Sequence, residues 1–165
     1  MIALEPITSR NVSLFREVRL RALRDSPSAF GSTYAKEAQL TDAEWLERTA
    51  RWNGDKGIGF LAMDGSAGCG IAGAFLEEQD ATQAHLISMW TAPAHRRHGV
   101  GRILVNVIAD WARERSAQTL RLMVTSSNDA AIEFYARLGF SRTGRTEPYP
   151  NDAALVEYEM VKPLQ

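Results

Sequence analysis

The sequence predicts an α/β fold on a mixed sheet, and three features carry that reading. Segments with apolar residues three and four apart alternate with short segments of strand length and period. Two apolar runs, Ile58 to Met63 and Gly70 to Leu76, flank the turn Asp64-Gly65-Ser66 and read as a hairpin. A strand at 85–91, a helix at 101–115 and a strand at 119–124 form a βαβ unit. Its crossover is expected to be right-handed and its strands parallel.

Each element has its own local reason. Met1 to Leu4 is a short first strand. Val12, Phe15, Val18, Leu20 and Leu23 recur at helical spacing, and Asp25-Ser26-Pro27-Ser28 stops that helix. Thr41 with Glu44 makes a capping box, which starts a second helix running to Arg51. His85 to Thr91 is a strand ended by Pro93. The helix Gly101 to Arg115 sets Leu104, Val107, Ile108 and Trp111 on one face. Leu120, Leu122 and Val124 alternate with Arg121 and Met123, a half-buried strand. Asp129 to Leu138 is helical, with Ala131, Phe134, Tyr135 and Leu138 on one side and Gly139 as its stop. Arg145 to Tyr149 and Ala154 to Val161 read as the last two strands. The order is β-α-α-β-β-β-α-β-α-β-β. No repeat, low-complexity tract or long linker interrupts it, so residues 1–165 are expected to form one domain.

Composition removes several function classes. At 165 residues, 24% charged and 45% hydrophobic, the chain can bury a core without a disulfide or metal staple. Its 19 basic and 20 acidic side chains argue against a globally basic nucleic-acid binder. Cys69 is the single cysteine, which rules out an intrachain disulfide and multi-cysteine zinc sites and suits a reducing cytoplasm. Met1-Ile2-Ala3-Leu4-Glu5 lacks the basic and apolar regions of a signal peptide. No apolar run reaches the roughly 18 residues that a membrane span needs. Asn11-Val12-Ser13, a glycosylation sequon, is read as chance without a secretion signal. The expectation is a cytoplasmic protein with no metal, no membrane and no nucleic-acid partner.

The strongest chemical signal is Arg96-Arg97-His98-Gly99-Val100-Gly101, between a strand and a helix start. Unpaired backbone N–H groups and the positive end of a helix dipole converge there, which makes an anion site. Gly99 and Gly101 lack a Cβ and would let the backbone approach a pyrophosphate. Arg96, Arg97 and Arg102 add charge, and His98 adds a donor. A solvated basic turn would look the same locally. Gly68-Cys69-Gly70-Ile71-Ala72-Gly73 matches the dinucleotide fingerprint by letter. It continues as strand through Ala74-Phe75-Leu76 and reads as small residues in a closely packed hairpin.

Thr91-Ala92-Pro93 followed by Arg96 to Gly101, with Asn128-Asp129-Ala130-Ala131-Ile132-Glu133-Phe134-Tyr135 and Leu138-Gly139-Phe140 beyond it, resembles the GNAT superfamily of acyl-CoA-dependent N-acetyltransferases. The two segments stand in the family's order and at its separation. The resemblance implies a single-domain mixed, mostly antiparallel sheet with a central splayed parallel strand pair, flanked by helices. It also implies that acetyl-CoA enters between the strands at 85–91 and 119–124. Backbone groups near Met89, Trp90 and Thr91 would pair with the pantetheine amides. The loop Arg96, Arg97, His98, Gly99, Val100, Gly101 and Arg102 would hold the pyrophosphate. Asn128 and Ala131 would border the pantetheine arm, and Tyr135 would lie near the sulfur as general acid. Backbone N–H groups near Trp90 or Thr91 would form the oxyanion site.

The remaining roles stay open at the level of sequence. The strand 85–91 carries no carboxylate, so Glu77, Glu78 and His85 are the candidates for a base working through water. Strand alternation would put Glu77 and Glu78 on opposite faces. Cys69 lies far from both motifs, so no acetyl-enzyme is expected. The connector from Ser28 to Tyr34, with Phe30 and Tyr34, and the side chains Trp90, Trp45 and Tyr149 are candidate acceptor walls. The acceptor is read as a primary amine on a small molecule (an amino acid, amine or antibiotic), with a peptide N-terminus or protein lysine as the alternative. A catalytically silent acyl-CoA-binding regulatory domain is the rival from another class. A nucleic-acid patch at His95-Arg96-Arg97-His98 is disfavoured by the neutral charge. Ala154 to Met160 could supply the edge of a homodimer.

Overall fold

The computed structural model describes residues 1–164. A seven-stranded sheet runs β1 (Ile2–Pro6), β2 (Gly57–Asp64), β3 (Ala67–Leu76), β4 (Gln83–Thr91), β5 (Thr119–Thr125), β7 (Val156–Pro163), β6 (Ser141–Pro148) in spatial order. Only β4 and β5 are parallel, and every other neighbouring pair is antiparallel. The helices are α1 (Val12–Asp25), a short α2 (Tyr34–Glu37), α3 (Asp42–Ala50), α4 (Val100–Glu114) and α5 (Asp129–Arg137). The mixed sheet, the parallel pair and the flanking helices are as the sequence predicts.

Small residues in β3 record how tightly both faces are covered. A Cβ on Gly68 would meet Val18 of α1, and one on Gly70 would meet Leu104 and Val100 of α4. One on Gly73 would lie 2.7 Å from the Trp52 indole. The fingerprint-like run Gly68 to Gly73 is therefore a close-packing device. Cys69 lies in the same strand, fully buried, and burial followed by the charge of Asp64 pushes its thiol pKa up.

Two expectations about the C-terminal strands need correction. β6 begins at Ser141, just after α5; it is an edge strand exposed at nearly every position, so no apolar alternation marks its start. β7 lies between β5 and β6 and is paired on both sides. Ala154 to Met160 therefore offers no free edge; the strand exposed on that side of the sheet is β6. The buried Glu159 carboxylate fixes this arrangement by accepting from Arg121 of β5 and Thr143 of β6.

A second buried carboxylate ties the helices to the sheet. Glu37 is 1% exposed and accepts two hydrogen bonds from Arg19 (both 3.0 Å) and one from Arg48 (2.8 Å). Burial alone would raise its pKa. The bonds and charge of Arg19, with Ser32 and Arg48, outweigh that and hold the carboxyl below its ordinary value. The third arm of Arg19 donates to Ser88 in β4 at 3.0 Å.

Replacing Glu37 with Gln strands two guanidinium groups and should cost about 3 kcal/mol of stability at neutral pH. Because the folded-state pKa is depressed, that contribution is present above the unfolded value of 4.5 and is lost as pH falls through the lowered one. Urea denaturation at pH 7 and at pH 3 should show the gap between wild type and Glu37→Gln narrowing in acid; a constant gap would contradict it.

Candidate active site

The parallel ladder between β4 and β5 has three register pairs, Gln83 with Thr119, Ala84 with Leu120 and His85 with Arg121. Beyond His85 and Arg121 the strands part. A bulge in β4 drives the separation: Ile71 of β3 faces Trp90, but Gly73 faces Ile87, so two steps of β3 match three of β4. Ser88 sits in the bulge at φ 59°, a left-handed conformation costly for a non-glycine residue. Its hydroxyl is held there by Arg19, at the end of the Glu37 network.

The opening is a cavity of about 90 Å³. Its walls are Leu86 to Met89 of β4, Leu122 to Thr125 of β5, and Ala29, Asn128, Ala131 and Tyr135. Asn128 caps α5, its side-chain oxygen accepting from the Ala131 N–H at 3.2 Å. That leaves the amide N–H groups of Asn128 for a ligand. Tyr135 is 8% exposed, packed edge-on against Phe134 and Phe140. Burial raises its phenol pKa far above the ordinary value, so the hydroxyl keeps its proton. Of the expected residues, the structure brings Met89, Asn128, Ala131 and Tyr135 together around this gap.

Above it lies the loop into α4. Gly99 caps the helix at φ 83°, and Arg97 also has positive φ. The first turn of α4 contains no acidic residue, so its free N–H groups and dipole face no competing charge. The two glycines act differently. A Cβ on Gly99 would meet nothing, so that residue serves its backbone conformation. A Cβ on Gly101 would lie 2.9 Å from Phe134 and 3.2 Å from Met89, so that residue lets α5 approach α4. Val100 is buried and can offer only its N–H. Arg97, His98 and Arg102 are exposed. Arg96 is turned back instead, onto Asp25 at 2.6 Å and the Thr91 carbonyl at 3.0 Å. Burial would raise the Asp25 pKa, but bonds from Trp90, Ser26 and Arg96 lower it. The Asp25 carboxylate therefore already neutralises much of Arg96's charge.

A larger cavity of about 390 Å³ opens on the α1 and α3 side and shares Ile87 and Ser88 with the gap. Phe15, Trp52, Phe75, Arg19, Arg48 and Arg51 complete it. Phe30, Tyr34 and Trp90, the expected acceptor walls, line neither cavity. Phe30 is buried beneath the Arg19 guanidinium, and Arg24 covers Tyr34. The Trp90 indole is 5% exposed and donates to Asp25 at 3.0 Å. Trp45 is a core residue set edge-on to Phe15. The Tyr149 hydroxyl donates to the Phe30 carbonyl at 2.7 Å, and Thr125 donates to that of Ser28 at 2.6 Å. These bonds clamp the α1–α2 connector over the gap, with Ala29 as its contact residue.

Glu77 and Glu78 both lie past the end of β3, where strand alternation no longer applies. Glu78 is exposed in a bend. Glu77 reaches His85, with Oε2 2.7 Å from Nε2, and His85 stacks on Phe75 of the larger cavity at 4.8 Å. If Nε2–H donates to Glu77, Nδ1 carries the lone pair that can take a proton. Glu157, unremarked in the sequence, faces Thr125 in register at the open end of β5. Burial, then the charge of Glu147, pushes its carboxyl pKa up. In sequence it is one of two alternating glutamates in β7, and only the strand order places it there.

Among the described residues no group of three or more His, Cys, Asp or Glu is positioned for a metal ion, and no helix is long and apolar enough to cross a membrane. Comparison with known proteins agrees with this fold. The chain is 36% identical over 130 residues to the [ribosomal protein bS18]-alanine N-acetyltransferase of Escherichia coli K12, covering 76% of this chain and 82% of that one. It is 51% identical over 53 residues to a streptothricin acetyltransferase of Streptomyces lavendulae, a match spanning 32% of this chain and only 28% of that protein. The crystal structure of the PaiA N-acetyltransferase from Thermoplasma acidophilum, in complex with coenzyme A, superposes with a TM-score of 0.78 at 15% identity, over 99% of both chains. Residues 20–140 match the acetyltransferase (GNAT) family, and the chain belongs to that family of N-acetyltransferases.

Proposed function

We propose that this enzyme moves the acetyl group of acetyl-CoA directly to a primary amine on a small molecule. The observation that carries the reading is the parting of β4 and β5 beyond His85 and Arg121, beneath a helix N-terminus free of acid. The residues fit the co-substrate. The inner edges of the two strands leave backbone groups that the pantetheine amides can pair with, near Met89, Trp90 and Thr91. The N–H groups from Gly99 to Arg102, with Arg97, His98 and Arg102, suit a pyrophosphate. Asn128 would donate to the pantetheine arm across Ala131. Arg96 would shape the loop through Asp25 more than contact phosphate. The coenzyme A held by the Thermoplasma enzyme supports the assignment. The named acceptors of the relatives include streptothricin and a protein alanine. The open cleft of about 390 Å³ is of a size that suits a small molecule.

Acetyl-CoA supplies the acyl thioester. A backbone N–H near Trp90 or Thr91 polarises its carbonyl. An amine of pKa near ~10 is mostly protonated at neutral pH and must first lose a proton. Nδ1 of His85, oriented by Glu77, takes it through water. The amine nitrogen then bonds to the acyl carbon as the carbon–sulfur bond breaks. The second nitrogen proton leaves by the same water path. Tyr135 gives its proton to the departing sulfur and is reprotonated from solvent. The products are an N-acetyl amide and a free thiol. Cys69, buried with a raised pKa, takes no part. On this reading residues 1–165 work as one catalytic domain in the cytoplasm.

Calorimetric titration should give micromolar binding of acetyl-CoA. Gly99→Val forces a β-branched residue to positive φ without a core clash, so it should fold normally yet weaken that binding about tenfold or more. Unchanged affinity would remove the loop as the pyrophosphate site. Tyr135→Phe should lower kcat about 100-fold with little change in acetyl-CoA affinity; unchanged turnover would remove Tyr135 as the acid. His85→Gln should lower kcat/KM by a similar factor with acetyl-CoA affinity unchanged, whereas unaltered turnover would show that the proton leaves by another route.

A further inference from the structure

We infer that the acceptor carries a carboxylate next to its amine and an apolar body, as an apolar amino acid does. The inference rests on the proposed function, which makes the larger cavity the acceptor site. Three guanidinium groups line that cavity, Arg19, Arg48 and Arg51, and one carboxylate, Glu37, partners two of them. Arg19 uses all three of its nitrogens, with Nε and Nη2 on Glu37 and Nη1 on Ser88. Arg48 gives Glu37 only Nη1, at 2.8 Å, and its side chain is 34% exposed. The Arg51 guanidinium has no hydrogen-bond or ion-pair partner among the described residues. Arg48 and Arg51 stand three residues apart at the C-terminal end of α3, so both fall on one side of it.

The cavity therefore keeps positive charge in excess, together with donors in the fork geometry that matches a carboxylate. The rest of its wall is apolar: Phe15, Trp52, Phe75 and Ile87. Phe75 and Ile87 remain 38% and 36% exposed, large for apolar side chains bordering a cavity. A carboxylate on Arg48 and Arg51 and an apolar side chain over Phe75 and Ile87 leave the amine toward Ser88, where the cavity meets the gap between the strands. A polycationic amine would instead meet the uncompensated charge of the exposed Arg51 guanidinium. The cavity thus selects acid-bearing amines and rejects polycations.

The test titrates N-acetyl-L-phenylalanine and N-acetyl-L-leucine, and the corresponding neutral amides, into the full chain saturated with CoA. Intrinsic tryptophan fluorescence, to which Trp52 of the cavity wall contributes, and calorimetry provide the readouts. The acids should bind about tenfold or more tightly than the amides, as expected for charge-assisted hydrogen bonds. Arg51→Ala should erase the difference and leave acetyl-CoA affinity unchanged. In turnover assays that follow free thiol, L-phenylalanine and L-leucine should outpace their amides and spermidine. Amides that bind as well as the acids, no binding of either, a preference that survives Arg51→Ala, or faster turnover of spermidine would each overturn the inference. Failure of acetyl-CoA itself to bind would instead overturn the acetyltransferase reading of the site.

Discussion

A sheet that stops pairing in its middle must leave backbone donors and acceptors without partners, and the rest of this structure depends on that constraint. β5 is paired with β7 along its whole length, and β4 is paired with β3 on its far side. Only the two facing inner edges beyond His85 and Arg121 are released. Buried backbone groups are seldom left unpaired, because each orphan costs as much as a lost hydrogen bond. An extended ligand with amides of its own is the economical solution. The βαβ unit then places the N-terminus of α4 beside the open ends of the parallel strands, where an anion is best received.

The opening is held by charge buried far from it in sequence. Glu37 orients Arg19, and Arg19 holds the Ser88 hydroxyl at the strained bulge. The same carboxylate positions Arg48 on the wall of the larger cavity. One buried acid therefore bears on both the separation of the strands and the electrostatics of the neighbouring site. Removing it would leave charges desolvated and unpaired, which is why it acts as a keystone and not as a simple stabilising contact. Tyr135 illustrates the complementary use of burial. With no cation to offset desolvation, its proton is retained, which is the state a donor to a thiolate needs.

The sequence is most legible where chemistry is local. The Arg96 to Gly101 loop, the Asn128 cap and Tyr135 are readable because their spacing along one loop or one helix already sets their relation. The parallel pair follows from the handedness of a single crossover. Legibility fails where a residue's partner is remote. Arg96 looks like a phosphate ligand in its own segment, but Asp25, at the end of α1, claims it. Trp90 looks like a wall until its indole is seen donating to the same Asp25. Phe30 and Tyr34 were the conspicuous aromatics of the connector, yet Arg19 and Arg24 cover them. The cavity draws its aromatics from α1, β3 and the turn after α3, which no sequence pattern groups.

The sequence by itself determined the main element types, the βαβ core, the glycine turn into α4 and the capped helix bearing Tyr135. Each of these rests on periodicity, capping or turn chemistry acting within about one element of chain. The tertiary structure alone decided that β7 inserts between β5 and β6, which brings Glu157 to the open end of β5. It alone decided that Glu77 meets His85, that a bulge parts the strands, and that three arginines share a wall. These outcomes depend on contacts between residues tens of positions apart. Such contacts are set by the competition of all elements for one core, and no local window of sequence contains that competition.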